Sequence, residues 1–349
     1  MDKNVSYYDG TKLLSMLDAD GKKPELFFIT SNRSAGKTTY FAKMCVNQFI
    51  KHKKKFLLLY RYKYEVNNCE QRFYPDVRAL FFNECEMTGK NMNNKSIREL
   101  FINDETCGYA VAINCADAVK KSSHLFNDVE TILFDEFQSE TNQYLPNEIN
   151  KFISIHTSVA RGHGVQSRYV RTILIGNPVS ISNPYYKALG IDKRLTKETV
   201  YLKGNGWVLE QGFNASASKA NQESSFMAAF KDTSQADYVS RGTYLNDDYD
   251  FIYKYNPDRV RIDKPLCNIT VASGNVYTLI VSKNYEYGLI TDKVITDLRV
   301  KLSIGSNREG FTMVTKNNIY ARLINSLYSN GCLFFSDVTT KNDITNDWL

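Results

Sequence analysis

Five mainly apolar runs of strand length divide the first two hundred residues: Leu26–Ile29, Phe56–Tyr60, Tyr109–Ile113, Val129–Phe134 and Arg171–Gly176. Continuous rather than alternating apolar character predicts strands covered on both faces, and hence an α/β layer structure with a mostly parallel sheet. Helical spacing falls between them. Phe41, Cys45 and Phe49 recur at intervals of four, and Ile149, Phe152, Ile153 and Val159 predict the buried stripe of a helix opened by Tyr144-Leu145-Pro146-Asn147-Glu148, with proline near its first turn. Leu13, Leu14 and Leu17 suggest one further short helix. From Asn67 to Asp104 the chain is polar and mixed, anchored by Phe73, Leu80, Phe81 and Phe82, and reads as helices and loops without chemistry.

Past Tyr201 the pattern changes. Gly204–Ser240 is rich in Gly, Asn, Ser, Ala and Gln and reads as a linker or small helical connector. Alternation returns in Asp250–Tyr255, Asn268–Ala272, Val276–Val281 and Tyr285–Ile290, which predict an antiparallel meander with turns at Gly274-Asn275 and Lys283-Asn284. A closing helix is expected around Tyr320–Leu327. The resulting division is 1–203 for a first domain, 204–243 for a connector and 244–349 for a smaller α+β domain.

The first apolar run breaks into Thr30-Ser31-Asn32-Arg33-Ser34-Ala35-Gly36-Lys37-Thr38-Thr39 and then opens a helix. In such a loop, backbone N–H groups and the helix N-terminus converge on one anion. Lys37 would reach the β- and γ-phosphates, and the Thr38 hydroxyl would hold Mg²⁺. Ser31 stands at the first glycine position of G-x-x-x-x-G-K-[ST] and must make a turn that glycine makes more easily. The degenerate match alone reads equally well as an ordinary strand-turn-helix.

A second motif lies 98 residues after Lys37. The Val129–Phe137 segment carries two adjacent carboxylates, Asp135 and Glu136. An acid at such a strand tip holds Mg²⁺, and a neighbouring glutamate orients the attacking water in hydrolytic NTPases of the additional-strand class. Together the two motifs predict an NTP site. Asn177, at the end of the last apolar run, is a candidate to orient water or report the γ-phosphate, or simply a turn residue before Pro178.

The remaining cations have two readings each. Arg161, before Gly162-His163-Gly164, is a helix-dipole partner or an arginine finger, with Arg168 and Arg171 as competitors. Arg61-Tyr62-Lys63-Tyr64 continues the preceding strand with alternating basic and aromatic residues and is a candidate DNA contact or an amphipathic strand end, and Lys120-Lys121 are candidate DNA contacts or solvated surface groups.

Composition sets wider limits. The chain has 349 residues, 43% of them hydrophobic, enough for two ordinary domains. A net charge of +6 and a pI near 8.7 are compatible with nucleic acid but do not require it. The seven cysteines are scattered with no C-x-x-C pair, suggesting neither a disulfide framework nor zinc. No apolar run approaches the ~18 residues that span a bilayer, and the expectation is a cytosolic protein with no membrane partner.

Four segments in order, Asn32–Thr38, Phe134–Phe137, Tyr144–Glu148 and Asn177-Pro178-Val179-Ser180-Ile181-Ser182-Asn183-Pro184-Tyr185, resemble the DNA-packaging ATPases of small protein-primed tailed phages, over roughly residues 20 to 200. The resemblance implies a terminase-like P-loop ATPase of the additional-strand (ASCE) type, using ATP and Mg²⁺. It implies a homo-oligomeric ring, pentameric on the prohead, that docks on the portal and drives double-stranded DNA inward, in some members with a structural packaging RNA. The place of action is the host cytoplasm, transiently at the prohead vertex. By position, Ser31 to Thr39 and Asn177 would bind nucleotide, with Lys37 among the catalytic groups. Thr38 and Asp135 would hold the metal, Glu136 would be the base, and Arg161, thirteen residues after Glu148, would be the finger acting across subunits. Arg33 would couple nucleotide state to motion. Apart from the resemblance, the short helix at Leu13 is a candidate cover for the nucleotide, with no role assigned. Lys63, Lys120 and Lys121 would face the DNA. The second domain would be a vestigial RNase H-like fold without nuclease activity, since Asp292 and Asp297 form no convincing acidic constellation. A DNA-independent P-loop NTPase or nucleotide switch is the alternative.

Overall fold

The computed structural model describes residues 7–141, 143–162, 164, 166–196, 199–241, 244, 251–253, 263–272, 274–304 and 307–349. The chain forms two units, Met1–Asn246 and Asp247–Leu349.

In the first unit, α1 (Thr11–Ser15) precedes β1 (Leu26–Thr30), α2 (Lys37–His52) and β2 (Lys55–Tyr60). The short helices α3 (Lys63–Val66), α4 (Glu70–Phe73) and α5 (Pro75–Phe81) follow, then β3 (Met87–Met92), β4 (Ile97–Ile102), β5 (Glu105–Ala112) and α6 (Ala116–Lys121). After β6 (Val129–Asp135) come α7 (Glu148–Val159), β7 (Arg171–Gly176), α8 (Pro184–Leu189), β8 (Tyr201–Gly204) and β9 (Trp207–Gln211). The unit closes with α9 (Ala215–Gln222), α10 (Ser225–Ala229) and α11 (Ser234–Arg241).

Among the described residues these strands form one nine-stranded sheet in the order β3-β4-β5-β2-β6-β7-β1-β9-β8. From β5 to β9 all neighbours are parallel, and only β3, β4 and β8 run antiparallel to the strands beside them. β7 pairs with both β1 and β6, and so is inserted between the strand of the lysine loop and the strand of the carboxylates. This inserted strand is the additional strand that the resemblance implied.

The continuous apolar runs divide by alternation. Phe28, Leu57, Leu59, Ile132, Phe134 and Leu174 enter the core on one face, while Phe27, Ile29, Phe56, Leu58, Leu133, Ile173 and Ile175 enter the core on the other. Successive side chains of a strand point to opposite faces, so both faces must be covered by helices for such runs to be buried. α2 covers the second face through Phe41, Ala42, Cys45, Val46 and Phe49, and α7 covers the first through Phe152, Ile155 and Val159.

Several expectations are corrected. The stretch from Asn67 to Asp104 contains strands β3 and β4, which were read as helix and loop. β3 is an edge strand with no fully buried position, so it lacks an apolar signal. The sheet does not end at residue 203: Trp207–Gln211 pairs with β1 in parallel, so part of the expected connector is core. Pro146 lies outside α7, whose N-cap is Asn147, and Ile153 is 54% exposed rather than part of the buried stripe. β2 stops at Tyr60, and Lys63 begins a helix rather than continuing a strand.

The second unit contains β10 (Lys264–Thr270), β11 (Val276–Val281), β12 (Gly288–Thr291), β13 (Lys301–Ser303) and β14 (Thr312–Met313), then α12 (Ile319–Ser329), β15 (Leu333–Phe335) and α13 (Val338–Asp347). The sheet order is β14-β13-β10-β11-β12-β15. β10, β11 and β12 form the expected meander, but β13, β14 and β15 add to it in parallel, which makes the sheet mixed. Ala321, Ile324 and Leu327 of α12 and Ile344 of α13 bury against this sheet. The strand expected at Asp250–Tyr255 lies mostly outside the described residues; within it, Ile252 bridges to Phe335.

Candidate functional site

The loop leaving β1 turns through two left-handed residues, Ser34 at φ 62° and Gly36 at φ 90°. The strain expected at Ser31 is therefore carried elsewhere, because Ser31 has no positive φ. Its hydroxyl instead donates to the Asn32 carbonyl at 3.3 Å and accepts from Lys37 Nζ at 3.0 Å. Glycine is favoured at Gly36. Its backbone is left-handed, and a Cβ there would lie 3.2 Å from the Tyr7 ring.

Lys37 folds back into this loop and is buried. Nζ donates to Ser31 O at 2.9 Å, Asn32 O at 3.2 Å and Asn177 Oδ1 at 3.2 Å. Burial draws its pKa down to about 8; Asp135 opposes the shift and Arg33 adds to it. Among the described residues no carboxylate lies in ion-pair contact with it. The ammonium is thus desolvated and held by neutral oxygens, an arrangement that favours an incoming anion.

Asp135 ends β6, and its carboxylate meets the Thr38 hydroxyl and accepts from Glu136 N at 3.0 Å. Burial raises its pKa, and the Thr38 and Glu136 hydrogen bonds and the charge of Lys37 work against that rise. A hydroxyl and one carboxylate side by side are hard oxygen donors, the set that suits Mg²⁺ when phosphates and water complete the shell. Glu136 is exposed, and its pKa is raised by desolvation and by the nearby Asp135 and Glu140.

Glu136 also has a left-handed backbone, φ 58°, at a position that favours glycine. Four contacts hold that turn. Arg61 Nη1 donates to Glu136 O at 3.3 Å and Nη2 to Phe137 O at 2.6 Å. Phe137 N donates to Ile175 O at 3.1 Å, and its ring packs 5.6 Å from Phe28. Gly176 leaves room for that ring, since a Cβ there would come within 3.0 Å of it. Gln138, next in sequence, accepts from Val179 N at 3.0 Å and Ser180 N at 2.9 Å, so the carboxylate turn fixes the loop that carries Asn177.

Lys37, Thr38, Asp135, Glu136 and Asn177 line one cavity of about 740 Å³, together with Arg33, Ser34, Ala35, Gly36 and Thr39. Ser31 and Asn32 stand behind it. The Asn32 side chain is engaged with the backbone of Asn214, donating to its carbonyl at 3.0 Å and accepting from its N–H at 2.8 Å. Arg33 pairs with Glu140, which also accepts from Tyr238 Oη at 2.9 Å. α1 does not line the cavity: Leu13 packs into the core, Leu17 is 49% exposed, and Tyr7 and Tyr8 reach the cavity instead.

The other candidates separate. Arg61, read as a DNA contact, is buried beneath the carboxylate turn and paired with Glu148. Arg168 donates to Val159 O at 2.8 Å and Phe126 O at 3.0 Å, holding the end of α7. Arg171, at the start of β7, lies against Met44. Arg161 is exposed and makes no side-chain bond to another described residue. Of the segment after it, His163 and Val165 lie outside the described residues. Lys63 is exposed on α3, and Lys120 and Lys121 are exposed in the last turn of α6; none lines the cavity. Arg61, Gln138, Glu140, Asn214 and Tyr238 had no sequence signal for this site, because each acts through a partner distant in the chain.

Known proteins share this architecture. The DNA packaging proteins of Bacillus phages PZA and phi29 are each 26% identical to this chain over 351 residues, covering 98% of it and 96% of each relative. A chain of the bacteriophage phi29 viral genome packaging motor assembly superposes with a TM-score of 0.70 at 22% identity, covering 97% of this chain and 98% of that one. The family model of the podovirus DNA encapsidation protein (Gp16) matches residues 1–345, and the chain belongs to that family.

Proposed function

We propose that this protein is the ATPase of a viral DNA-packaging motor, a homo-oligomeric ring at the portal of a prohead that couples ATP hydrolysis to the inward movement of double-stranded DNA. The observation that carries this reading is the convergence of Lys37, Thr38, Asp135, Glu136 and Asn177 on one cavity in a chain of the DNA encapsidation family.

In this reading the loop from Ser31 to Thr39 holds the β- and γ-phosphates through backbone N–H groups and the Lys37 ammonium. Thr38 and Asp135 would hold Mg²⁺, which neutralises charge on the phosphates. Glu136 orients the attacking water and takes its proton; its raised pKa makes it a better base than an ordinary surface carboxylate. Asn177, which accepts from Lys37 Nζ at 3.2 Å, would respond to the terminal phosphate. Arg161, which makes no side-chain bond to another described residue, serves the site of a neighbouring subunit, where a cation offsets charge developing in the transition state. Lys63, Lys120 and Lys121 contribute sequence-independent phosphate contacts, whose binding weakens steeply with salt. Portal, prohead and a structural RNA are the further partners, and the ring acts in the host cytoplasm.

The second unit is proposed to act without cutting DNA. Asp292 and Asp297 are exposed, and among the described residues no group of three or more His, Cys, Asp and Glu is arranged to hold a metal. Two-metal cleavage requires such a group. Mg²⁺- or Mn²⁺-dependent cleavage of duplex DNA that disappears in Asp292→Ala would refute this.

The central test is the ATPase rate with no nucleic acid, with single-stranded DNA and with duplex DNA, for the native chain and Lys37→Ala. Stimulation by duplex DNA that is lost in the variant supports the motor. Hydrolysis indifferent to DNA supports a P-loop NTPase or switch with another partner.

A further inference from the structure

Three polar side-chain atoms are sealed in the core beside the site with no hydrogen-bond partner among the described residues: Thr30 Oγ1, Gln138 Nε2 and Tyr186 Oη. Thr30 and Tyr186 are fully buried, and Gln138 is 3% exposed. Buried polar atoms are nearly always bonded to protein or to ordered water, because an unmet donor or acceptor in the interior gives up its solvation for nothing.

The three belong to different elements and meet on one face of the sheet. Thr30 ends β1 two residues after Phe28, so the two side chains leave the strand on the same face. The Phe28 ring lies 5.6 Å from Phe137 and 5.8 Å from Tyr186, which sets the carboxylate turn and α8 over the end of β1. Thr30 is in register with Gly176, and a Cβ on Gly176 would lie 3.7 Å from Gln138 Cγ. The Gln138 side chain therefore lies against the end of β7, beside Thr30. Burial pushes the Tyr186 phenol up in pKa, and Thr30 and Gln138 oppose that rise. Both are near enough to interact with the hydroxyl, yet neither completes a direct hydrogen bond to it.

We propose that Thr30, Gln138 and Tyr186 hold one internal water, and that this water fastens the strand entering the phosphate loop to the turn that carries Glu136. The catalytic consequence rests on the reading of the cavity as an ATPase site.

The donor and acceptor count fits a water. Gln138 Oε1 accepts from Val179 N and Ser180 N, which fixes the amide and leaves Nε2 as the end facing inward. That end only donates, whereas the two hydroxyls donate or accept. A water that accepts from the amide and donates to both hydroxyls makes three bonds, the usual number for a buried one.

None of the three residues lines the cavity, so they are positioning residues. Thr30 leads into Ser31, whose carbonyl holds Lys37 Nζ at 2.9 Å. Gln138 stands two residues after Glu136 and is bonded to the loop that carries Asn177. The water thus sets the spacing between the phosphate-binding groups and the groups that act on the attacking water, a spacing on which turnover depends steeply.

The test joins crystallography and kinetics on the full chain. A crystal structure that shows ordered waters should place one within about 3.2 Å of all three atoms. Tyr186→Phe and Thr30→Val each remove one hydroxyl at nearly constant shape. Each should lower kcat for ATP with duplex DNA roughly tenfold, keep KM within about twofold, and lose or displace the water. The double variant should fall less than the product of the two, because both hydroxyls act through one water. A merely structural role would lower the melting temperature of each variant and leave kcat native well below it. The water site is overturned if native density shows none there, or shows Tyr186 Oη bonded directly to Thr30 or Gln138. Native kcat in both folded variants overturns the positioning role. A native chain that hydrolyses no ATP removes the ATPase reading and the positioning role together, while density at the three atoms still decides the water site.

Discussion

Arg61 and Glu148 form a buried ion pair, with Nε 3.1 Å from Oε1 and 3.2 Å from Oε2, directly beneath the turn that presents Glu136. The same guanidinium holds the carbonyls of Glu136 and Phe137, and Glu148 also accepts from Leu145 N at 2.7 Å and Tyr185 Oη at 2.7 Å. The pair joins the end of β2, the end of β6 and the start of α7.

Arg61→Ala leaves Glu148 charged and unpaired in the interior and should cost about 3–5 kcal/mol of stability, read by urea denaturation. Arg61→Lys keeps the charge but not the planar set of donors that reaches three acceptors. It should fold and bind nucleotide yet hydrolyse at least about tenfold more slowly. Native turnover in Arg61→Lys would show that the guanidinium does not position Glu136.

Glu136→Gln preserves the shape of the turn and removes the base. Nucleotide affinity should stay within about twofold, while turnover falls by about 10²–10⁴. A parallel loss of affinity would mean that Glu136 acts in binding instead.

Lys37 supplies the pH dependence. With its pKa near 8 in the free protein and higher beside bound phosphates, the group is charged in both states at pH 7. Nucleotide affinity should be flat below about pH 8 and fall by up to about tenfold per unit above it, because binding then takes up a proton. Lys37→Met should bind weakly with no such slope. Calorimetry across pH 6.5–9.5 decides the matter.

Arg161 and Arg168 should respond oppositely. Arg168→Ala leaves the Val159 and Phe126 carbonyls without their donor and should lower the stability of the isolated chain by about 1–3 kcal/mol. Arg161→Ala should change stability by no more than about 0.5 kcal/mol but remove DNA-stimulated hydrolysis in the assembled ring. Mixed rings of Arg161→Ala and Lys37→Ala chains should keep some activity, since each supplies what its neighbour lacks. Native hydrolysis by homogeneous Arg161→Ala rings would remove the finger assignment.

Much of the first unit is determined by the sequence itself. Five runs such as Phe56–Tyr60 and Arg171–Gly176 are mainly apolar, with unbroken apolar stretches such as Ile173–Ile175, and a strand of that kind is stable only when covered on both faces. The loop ending in Gly36-Lys37-Thr38 and the pair Asp135-Glu136 were legible for the same local reason: each needs a few residue types at fixed positions next to a strand. Their meeting in one cavity follows once both strands share a sheet with β7 between them.

Tertiary structure alone decided what depends on distant partners. β3 carries no apolar signal because it is an edge, and β9 was hidden in a polar stretch because its place beside β1 comes from pairing rather than composition. Arg61 and Lys63 stand two residues apart with similar sequence surroundings, yet one is sealed under Glu136 by Glu148, 87 residues away, and the other is exposed. A long cationic side chain takes its role from whichever acceptor the fold brings within about 3 Å, and a linear sequence does not specify that acceptor.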